Sequence, residues 1–437
     1  MSASPARRAA FETVRRVFEE EEAYADRAFP AEAAGLEPRE RALAQRLAYG
    51  TIQRVRTLDH GIEALGRRPV HKLDPPVRTA LRLGAYQLAY SEVAMHAAVN
   101  ESVELVRDAG LERAVSFANA VMRRLTLGLP ELVEALPEGT PEEAALKHSY
   151  PDWVAQTWWR ELGSEQTLEL MRAQNEPPET VVRRNGLKQG EVAGELDPEI
   201  PNALRVDQVD EQELADGLIW PQSRGSQLAG LCVDAGEGER VLDLCAAPGG
   251  KATQLAERAA EVVAVERHPG RARELEANCR RLGATNVRVV NADALELPGD
   301  LGEFERVLVD APCSGLGVLA SRPDLRWRGK PLPELQRDLL RVAAERVKPG
   351  GTIVYSVCTL NVEENEAIVD ASGLAVKTLR GEWPQFAHPL RPEFLLTLPH
   401  RDRTSGFFIA RMKRPLGQSR NGLQWSASQA SALGSEP

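Results

Sequence analysis

Two cysteines occupy matching places in the second half of this 437-residue chain: Cys313 in Asp310-Ala311-Pro312-Cys313-Ser314-Gly315, and Cys358 in Ser356-Val357-Cys358-Thr359-Leu360. Each follows a short apolar run, RVLVD before the first and TIVYSV before the second. A thiol so placed either fills a core, as free cysteine commonly does, or attacks an electron-poor carbon as a thiolate. One such cysteine alone favours packing. Two at adjacent strand ends favour covalent chemistry. Cys232, Cys245 and Cys279 bring the total to five, with no CxxC pair, so neither a disulfide framework nor a zinc site is expected.

A second constellation lies upstream. The run VLDLCA leads into CAAPGGKATQLAE, a glycine-rich turn opening a helix, where a doubly wound sheet binds its nucleotide. The turn is not GxGxxG. Pro248 and Lys251 suit a pyrophosphate poorly and a sulfonium-linked amino acid better. The next strand ends at Glu266, placed for the two hydroxyls of a ribose, and the third is followed by Asn291-Ala292-Asp293, placing Asp293 for an adenine amino group. In that order the three features describe an adenosine-bearing ligand without a pyrophosphate.

The elements that must position these groups form an α/β fold. VLDLCA, VVAVE, VRVVN, RVLVD and TIVYSV are near-continuous apolar strands of the kind buried on both faces of a parallel sheet. Helical stretches follow at about 250–258, 269–282, 333–347 and 362–370, giving a doubly wound, Rossmann-like domain over 216–414. Asn361 with Glu364 reads as a capping box starting a helix at about 362. Cys358 would then lie near that helix N-terminus, whose partial charge favours thiolate while Glu363 and Glu364 oppose it. Residues 1–130 read as an all-helical bundle, with Val77, Leu81, Ala85 and Leu88 at helical spacing and breaks at 35–38, 66–69 and 109–110. LPELVEALPEGTPEE from Leu129 reads as a linker into a small α+β subdomain, 131–215, where Trp158-Trp159 is expected to pack internally. The Ser/Gly/Gln-rich residues 415–437 read as a disordered tail.

The net charge of −10 argues against a protein coated in phosphate-binding residues. The charge is uneven, however. Residues 1–130 hold 19 Lys and Arg against 17 Asp and Glu, and residues 41–90 hold 9 against 3, a local balance of +6. Such a face can hold RNA on an acidic protein. Between the two cysteines, SRPDLRWRGK places Arg322, Arg326, Arg328 and Lys330 around Trp327, which suits splaying a nucleotide or, alternatively, a solvated loop over a tucked tryptophan. No stretch approaches a membrane span and the N-terminus lacks the apolar core of a secretory signal, so the cytoplasm is the expected compartment.

CAAPGGK, DAPCSG and the second Cys-Thr motif together resemble the RNA cytosine-C5 methyltransferases of the Fmu/Sun (RsmB) and NOL1/NOP2 type, over about residues 145–413. The resemblance implies S-adenosylmethionine as cofactor, held by Cys245, Ala246, Ala247, Pro248, Gly249, Gly250, Lys251, Glu266 and Asp293. It implies that Cys358 attacks C6 of the cytosine and that Cys313 assists release. Similar DNA enzymes attack with the Pro-Cys residue, so only the resemblance selects Cys358. Asp310 would hydrogen-bond the cytosine edge or hold the cofactor's methionine end. PQSRGSQLAG, from Pro221, lies where the family places a helix before its first strand.

The N-terminal segments VNESVELVR and FANAVMRRL resemble the NusB antitermination fold, which precedes the catalytic domain in the bacterial 16S rRNA subfamily. RNA, specifically 16S rRNA, is then the expected partner, with neither membrane nor DNA, and with oligomeric state open. The same helices would also suit protein docking. Three competing readings are the same chemistry on tRNA, a non-catalytic RNA-binding scaffold, and a dinucleotide-dependent dehydrogenase, which the turn sequence disfavours.

Overall fold

A computed structural model describes residues 2–21 and 23–416 and divides into two compact units. One holds the chain up to Pro177 together with Leu319–Gly329; the other holds Pro178–Val318 and the chain from Lys330 onward. Residues 131–215, expected to form one subdomain, are therefore shared between the units. All but the first two residues of the expected tail lie outside the described residues.

The first unit is helical: α1 (Pro5–Glu19), α2 (Ala25–Glu32), α3 (Pro38–Gly66), α4 (Pro75–Tyr90), α5 (Met95–Asp108), α6 (Glu112–Glu134), α7 (Pro141–His148) and α8 (Asp152–Ala173). Prolines open α1, α3, α4 and α7, where the missing N–H has no intrahelical partner to lose. Leu47, Ile52 and Leu58 of α3 pack with Leu81 of α4 and Val121, Met122 and Leu125 of α6 to form the core. The expected linker from Leu129 is largely helical. Pro130 sits inside α6, and Thr140 with Glu143 makes a capping box that starts α7. Trp158 is fully buried, edge-on to Tyr150.

The second unit begins with β1 (Val181–Arg184), β2 (Glu195–Leu196), β3 (Ala203–Arg205), α9 (Glu211–Asp216) and β4 (Ile219–Pro221), whose strands form an antiparallel sheet in the order β2-β3-β1-β4. There follow α10 (Arg224–Val233), β5 (Arg240–Asp243), α11 (Gly250–Leu255), β6 (Glu261–Glu266), α12 (Pro269–Leu282), β7 (Val287–Asn291) and β8 (Phe304–Asp310). The chain then enters the first unit, where it makes the short α13 (Leu325–Arg328). It returns as α14 (Pro333–Arg346), β9 (Val347–Val357), α15 (Glu366–Ala371), β10 (Ala375–Val376), β11 (Leu395–Thr397) and β12 (Phe407–Lys413).

The large sheet runs β10-β12-β9-β8-β5-β6-β7, with β11 on β12. Strands β7, β6, β5, β8 and β9 are parallel, and β12 is antiparallel to β9. Strand order reverses between β5 and β8, and in sheets of this kind ligands bind outside the carboxyl ends at such a reversal. Buried Cys232 and Cys279 pack among Val241, Val262 and Leu275, so these two are core thiols.

In the loop between the cysteines Trp327 is tucked in, as the second reading has it, but the arginines are bound to the protein rather than solvated. Arg326 is 1% exposed and donates to the Gln53 and Ser149 carbonyls, Asn175 Oδ1 and the Tyr150 hydroxyl. Trp327 Nε1–H donates to Ile52 O at 2.7 Å, and Arg328 donates to the carbonyls of Val17, Glu20 and Glu21 at and just beyond the C-terminal end of α1, where the helix dipole favours a cation. Arg322 pairs with Asp26 at 3.2 Å. Of the basic side chains in that loop only Lys330 is exposed. Burial of the guanidinium is offset by its acceptors, which a solvated reading could not anticipate. Among the described residues no helix is long and apolar enough to cross a membrane.

Candidate active site

The turn after β5 is shaped by backbone bonds that extend the sheet ladder. Leu244 N–H donates to Leu308 O and Ala246 N–H to Val265 O, so the chain is held between both neighbouring strands as it leaves the sheet. The Ala247–Pro248 peptide is cis, and Gly249 adopts φ +114°, a conformation that favours glycine. A Cβ on Gly250 would lie 2.6 Å from Trp220 Nε1. At the end of β6, Glu266 is 6% exposed; its Oε1 accepts from His268 N–H at 2.8 Å and its Oε2 lies 3.5 Å from Arg271, which also donates to Ala247 O. Asp293 accepts from Leu295 N–H and lies 3.8 Å from Arg267. Burial pushes the Cys245 thiol well up, with Asp243 and Asp310 adding to it, which suits a packing role rather than attack.

Lys251, on the first turn of α11, bonds Asp310 Oδ2 at 2.8 Å and also faces the Phe407 ring. Ser356 Oγ donates to Asp310 Oδ1 at 2.8 Å, across the register pair that joins β8 and β9. Beside them Asp243 is 1% exposed, and its Oδ2 has no hydrogen-bond partner among the described residues. Burial, and then the charge of Asp310, push this carboxyl up to about 7, with Lys251 opposing.

The two cysteines meet. Cys313 Sγ and Cys358 Sγ are 3.4 Å apart and both are half-buried. Their loops are cross-bonded. Gly317 N–H donates to Cys358 O at 2.9 Å, the Ser314 and Thr359 hydroxyls share a 2.7 Å bond, and Gly406 N–H donates to Gly317 O. A Cβ on Gly317 would stand 2.0 Å from Gly406 O, so this approach admits only glycine. The hydrogen bond with Cys358 first, then burial, push the Cys313 thiol well above its ordinary value. The pair can thus supply one sulfur as nucleophile and a neighbouring sulfur that keeps its proton.

The capping-box reading at Asn361 is corrected. Residues 362–365 form turns, α15 starts at Glu366, and Glu364 is fully buried, pointing inward to the Cys313 loop. Arg224 is likewise structural: 2% exposed, it pairs with Glu179, Asp197 and Glu199 and donates to the carbonyls of Asp402 and Arg403. Sequence reasoning missed Asp243, Ser356 and Glu364. For Asp243 a signal was present, an acid inside an otherwise apolar strand; for Glu364, within the polar run NVEENE, there was none.

A family model described as 16S rRNA methyltransferase RsmB/F matches residues 231–413, and a NusB family model matches residues 4–126. A protein of Synechocystis sp. named probable ribosomal RNA small subunit methyltransferase B is 34% identical over 87% of this chain and 92% of its own. The ribosomal RNA small subunit methyltransferase B of Thermus thermophilus is 35% identical over 87% and 90% respectively. The crystal structure of PH0851 matches 95% of this chain and 100% of its own, with a TM-score of 0.77 and 25% identity.

Proposed function

The chain belongs to the RsmB/F family of 16S rRNA methyltransferases and carries a NusB domain, and from that premise we propose that it methylates C5 of a cytosine in 16S rRNA through a covalent adduct between Cys358 and C6 of the base. The observation that carries this reading is the 3.4 Å approach of Cys313 and Cys358 at the carboxyl ends of β8 and β9, beside the point where strand order reverses.

Cytosine C5 is too weak a nucleophile to take a methyl group unaided. Addition of the Cys358 thiolate to C6 makes C5 enamine-like. S-adenosylmethionine, when bound, supplies the electrophilic methyl group. The residues fit it: Glu266 for the ribose, Asp293 for the adenine, and the turn Cys245–Lys251 for the amino-acid end. The unpartnered Asp243 oxygen offers an acceptor to a donor such as an ammonium. Asp310, fixed by Lys251 and Ser356, presents its remaining lone pairs to the cytosine amine or to that ammonium. After methylation the C5 proton passes to water and its electron pair forms the C5–C6 double bond. The C6–S pair departs on Cys358, which takes the Cys313 proton, and Cys313 is reprotonated from water.

For the RNA, the first unit offers a basic face where α3 ends and α6 runs past. Arg67, Arg68, Lys72, Arg123 and Arg124 are exposed there, Arg124 reaching Gly66 O and Arg68 lying over the Phe117 ring. The test is bisulfite sequencing of RNA from a deletion strain, with Cys variants assayed on a denaturing gel. Loss of one 16S rRNA signal, no turnover by Cys358→Ala and a protein–RNA adduct on Cys313→Ala are expected. Loss of a tRNA signal with intact rRNA would overturn the substrate, and an adduct on Cys358→Ala the cysteine roles.

A further inference from the structure

Glu364 is a fully buried carboxylate six residues beyond Cys358, and its two side-chain oxygens accept from five donors. Oε1 accepts from Ser314 N–H at 3.0 Å, Leu332 N–H at 3.1 Å and Gln336 Nε2 at 2.9 Å. Oε2 accepts from the Ser314 hydroxyl and, at 3.5 Å, from Asn361 Nδ2. Gln336 Nε2 also donates to Pro312 O, so the residues on both sides of Cys313 are tied to one network. Tyr355 of β9 donates to Glu364 O at 2.7 Å, anchoring the carboxylate's own backbone to the strand that carries Cys358. Such a set satisfies the acceptors of a buried carboxylate and leaves little freedom to the loop it holds.

We infer that Glu364 is a positioning residue that fixes the Cys313 loop against the Cys358 loop and thereby sets the rate at which the covalent adduct is resolved. This rests on the cysteine roles proposed above. The hydrogen bonds to Ser314 hold the Cys313 thiol within reach of the departing Cys358 sulfur. The charge of the carboxylate raises the Cys313 thiol and so opposes the release of its proton. Positioning is therefore the effect by which Glu364 speeds resolution.

Glu364→Gln keeps size and several acceptor contacts while removing the charge; Glu364→Ala removes both. Glu364→Ala, which frees the loop, should accumulate protein–RNA adduct on a denaturing gel with 16S rRNA, and Glu364→Gln, which keeps part of the hold and lifts the opposing charge, should accumulate less. In Glu364→Ala turnover should fall about tenfold, as loss of a buried hydrogen bond to a charged group would give, while the single-turnover methyl-transfer rate changes less than twofold. A second readout needs no RNA. In a Cys358→Ala background, the pH profile of Cys313 alkylation by iodoacetamide should shift to lower pH when Glu364→Gln is added, which a merely structural role would not produce. An unchanged profile together with unchanged turnover overturns the inference. If Cys313→Ala itself gives no adduct, the cysteine roles fall, and the alkylation profile still decides the place of Glu364. Should both Glu364 variants unfold, Ser314→Ala removes one donor only; adduct accumulation there supports the inference and its absence refutes it.

Discussion

Lys251 and Asp310 form an ion pair at 2.8 Å between α11 and the end of β8, and the second Asp310 oxygen is taken by Ser356. The pair is partly shielded from solvent, so it holds the carboxylate in one orientation. Lys251→Met should lower kcat/KM by roughly 10- to 100-fold, the equivalent of one charge-assisted hydrogen bond. Steady-state methyl transfer to 16S rRNA, with circular dichroism to establish an unchanged fold, checks this; activity within twofold of the parent would exclude the pair from catalysis.

Asp243 should make the protein's stability fall as pH rises. Its carboxyl is raised from 3.8 to about 7 by burial and by Asp310. A group raised in the folded state binds its proton more tightly there than in the unfolded chain. The stabilisation it gives is complete below the ordinary value and is lost as pH climbs through about 7. Asp243→Asn, which mimics the protonated form, should flatten that dependence by on the order of 2 kcal/mol. Urea unfolding at pH 5 and pH 8 measures it, and equal pH slopes in the two proteins would contradict it.

Arg326→Met should destabilise the first unit by about 3 kcal/mol, because the Gln53 and Ser149 carbonyls, Asn175 Oδ1 and the Tyr150 hydroxyl lose a common donor. Lys330→Ala, at an exposed site in the same stretch, should change stability by less than about 0.5 kcal/mol. Thermal unfolding of the two variants compares them directly. Similar midpoints would mean that the guanidinium is not the anchor its contacts describe.

The basic face should show itself in salt dependence. Replacing Arg67 and Arg68 with Glu should weaken 16S rRNA binding and reduce the slope of log affinity against log salt by roughly one for each phosphate no longer neutralised. Filter binding over a salt series reads this. An unchanged slope would place the RNA elsewhere.

The strands were legible because parallel strands covered on both faces are nearly continuous apolar runs, and VVAVE is buried from Val262 to Glu266. The thiol pair was legible for a related reason, since equivalent positions after adjacent strands converge on one crevice. What stayed hidden depends on contacts distant in sequence. Arg326 reads as a solvated cation until Gln53, 273 residues away, is placed beside it. Glu364 three residues after Asn361 has the spacing of a cap, yet the donors converging from Ser314, Leu332 and Gln336 draw it inward instead. Local spacing cannot weigh such a competition.

Because the stretch Leu319–Gly329 belongs to the helical unit while the chain on either side of it belongs to the catalytic unit, no single cut in the gene separates the two. A fragment ending at Pro177 lacks the donor side chains of Arg326 and Trp327, and a fragment starting at Pro178 carries them without their acceptors. Expressing either unit alone, with the chain cut after Pro177, therefore forfeits the hydrogen bonds of Arg326 and Trp327.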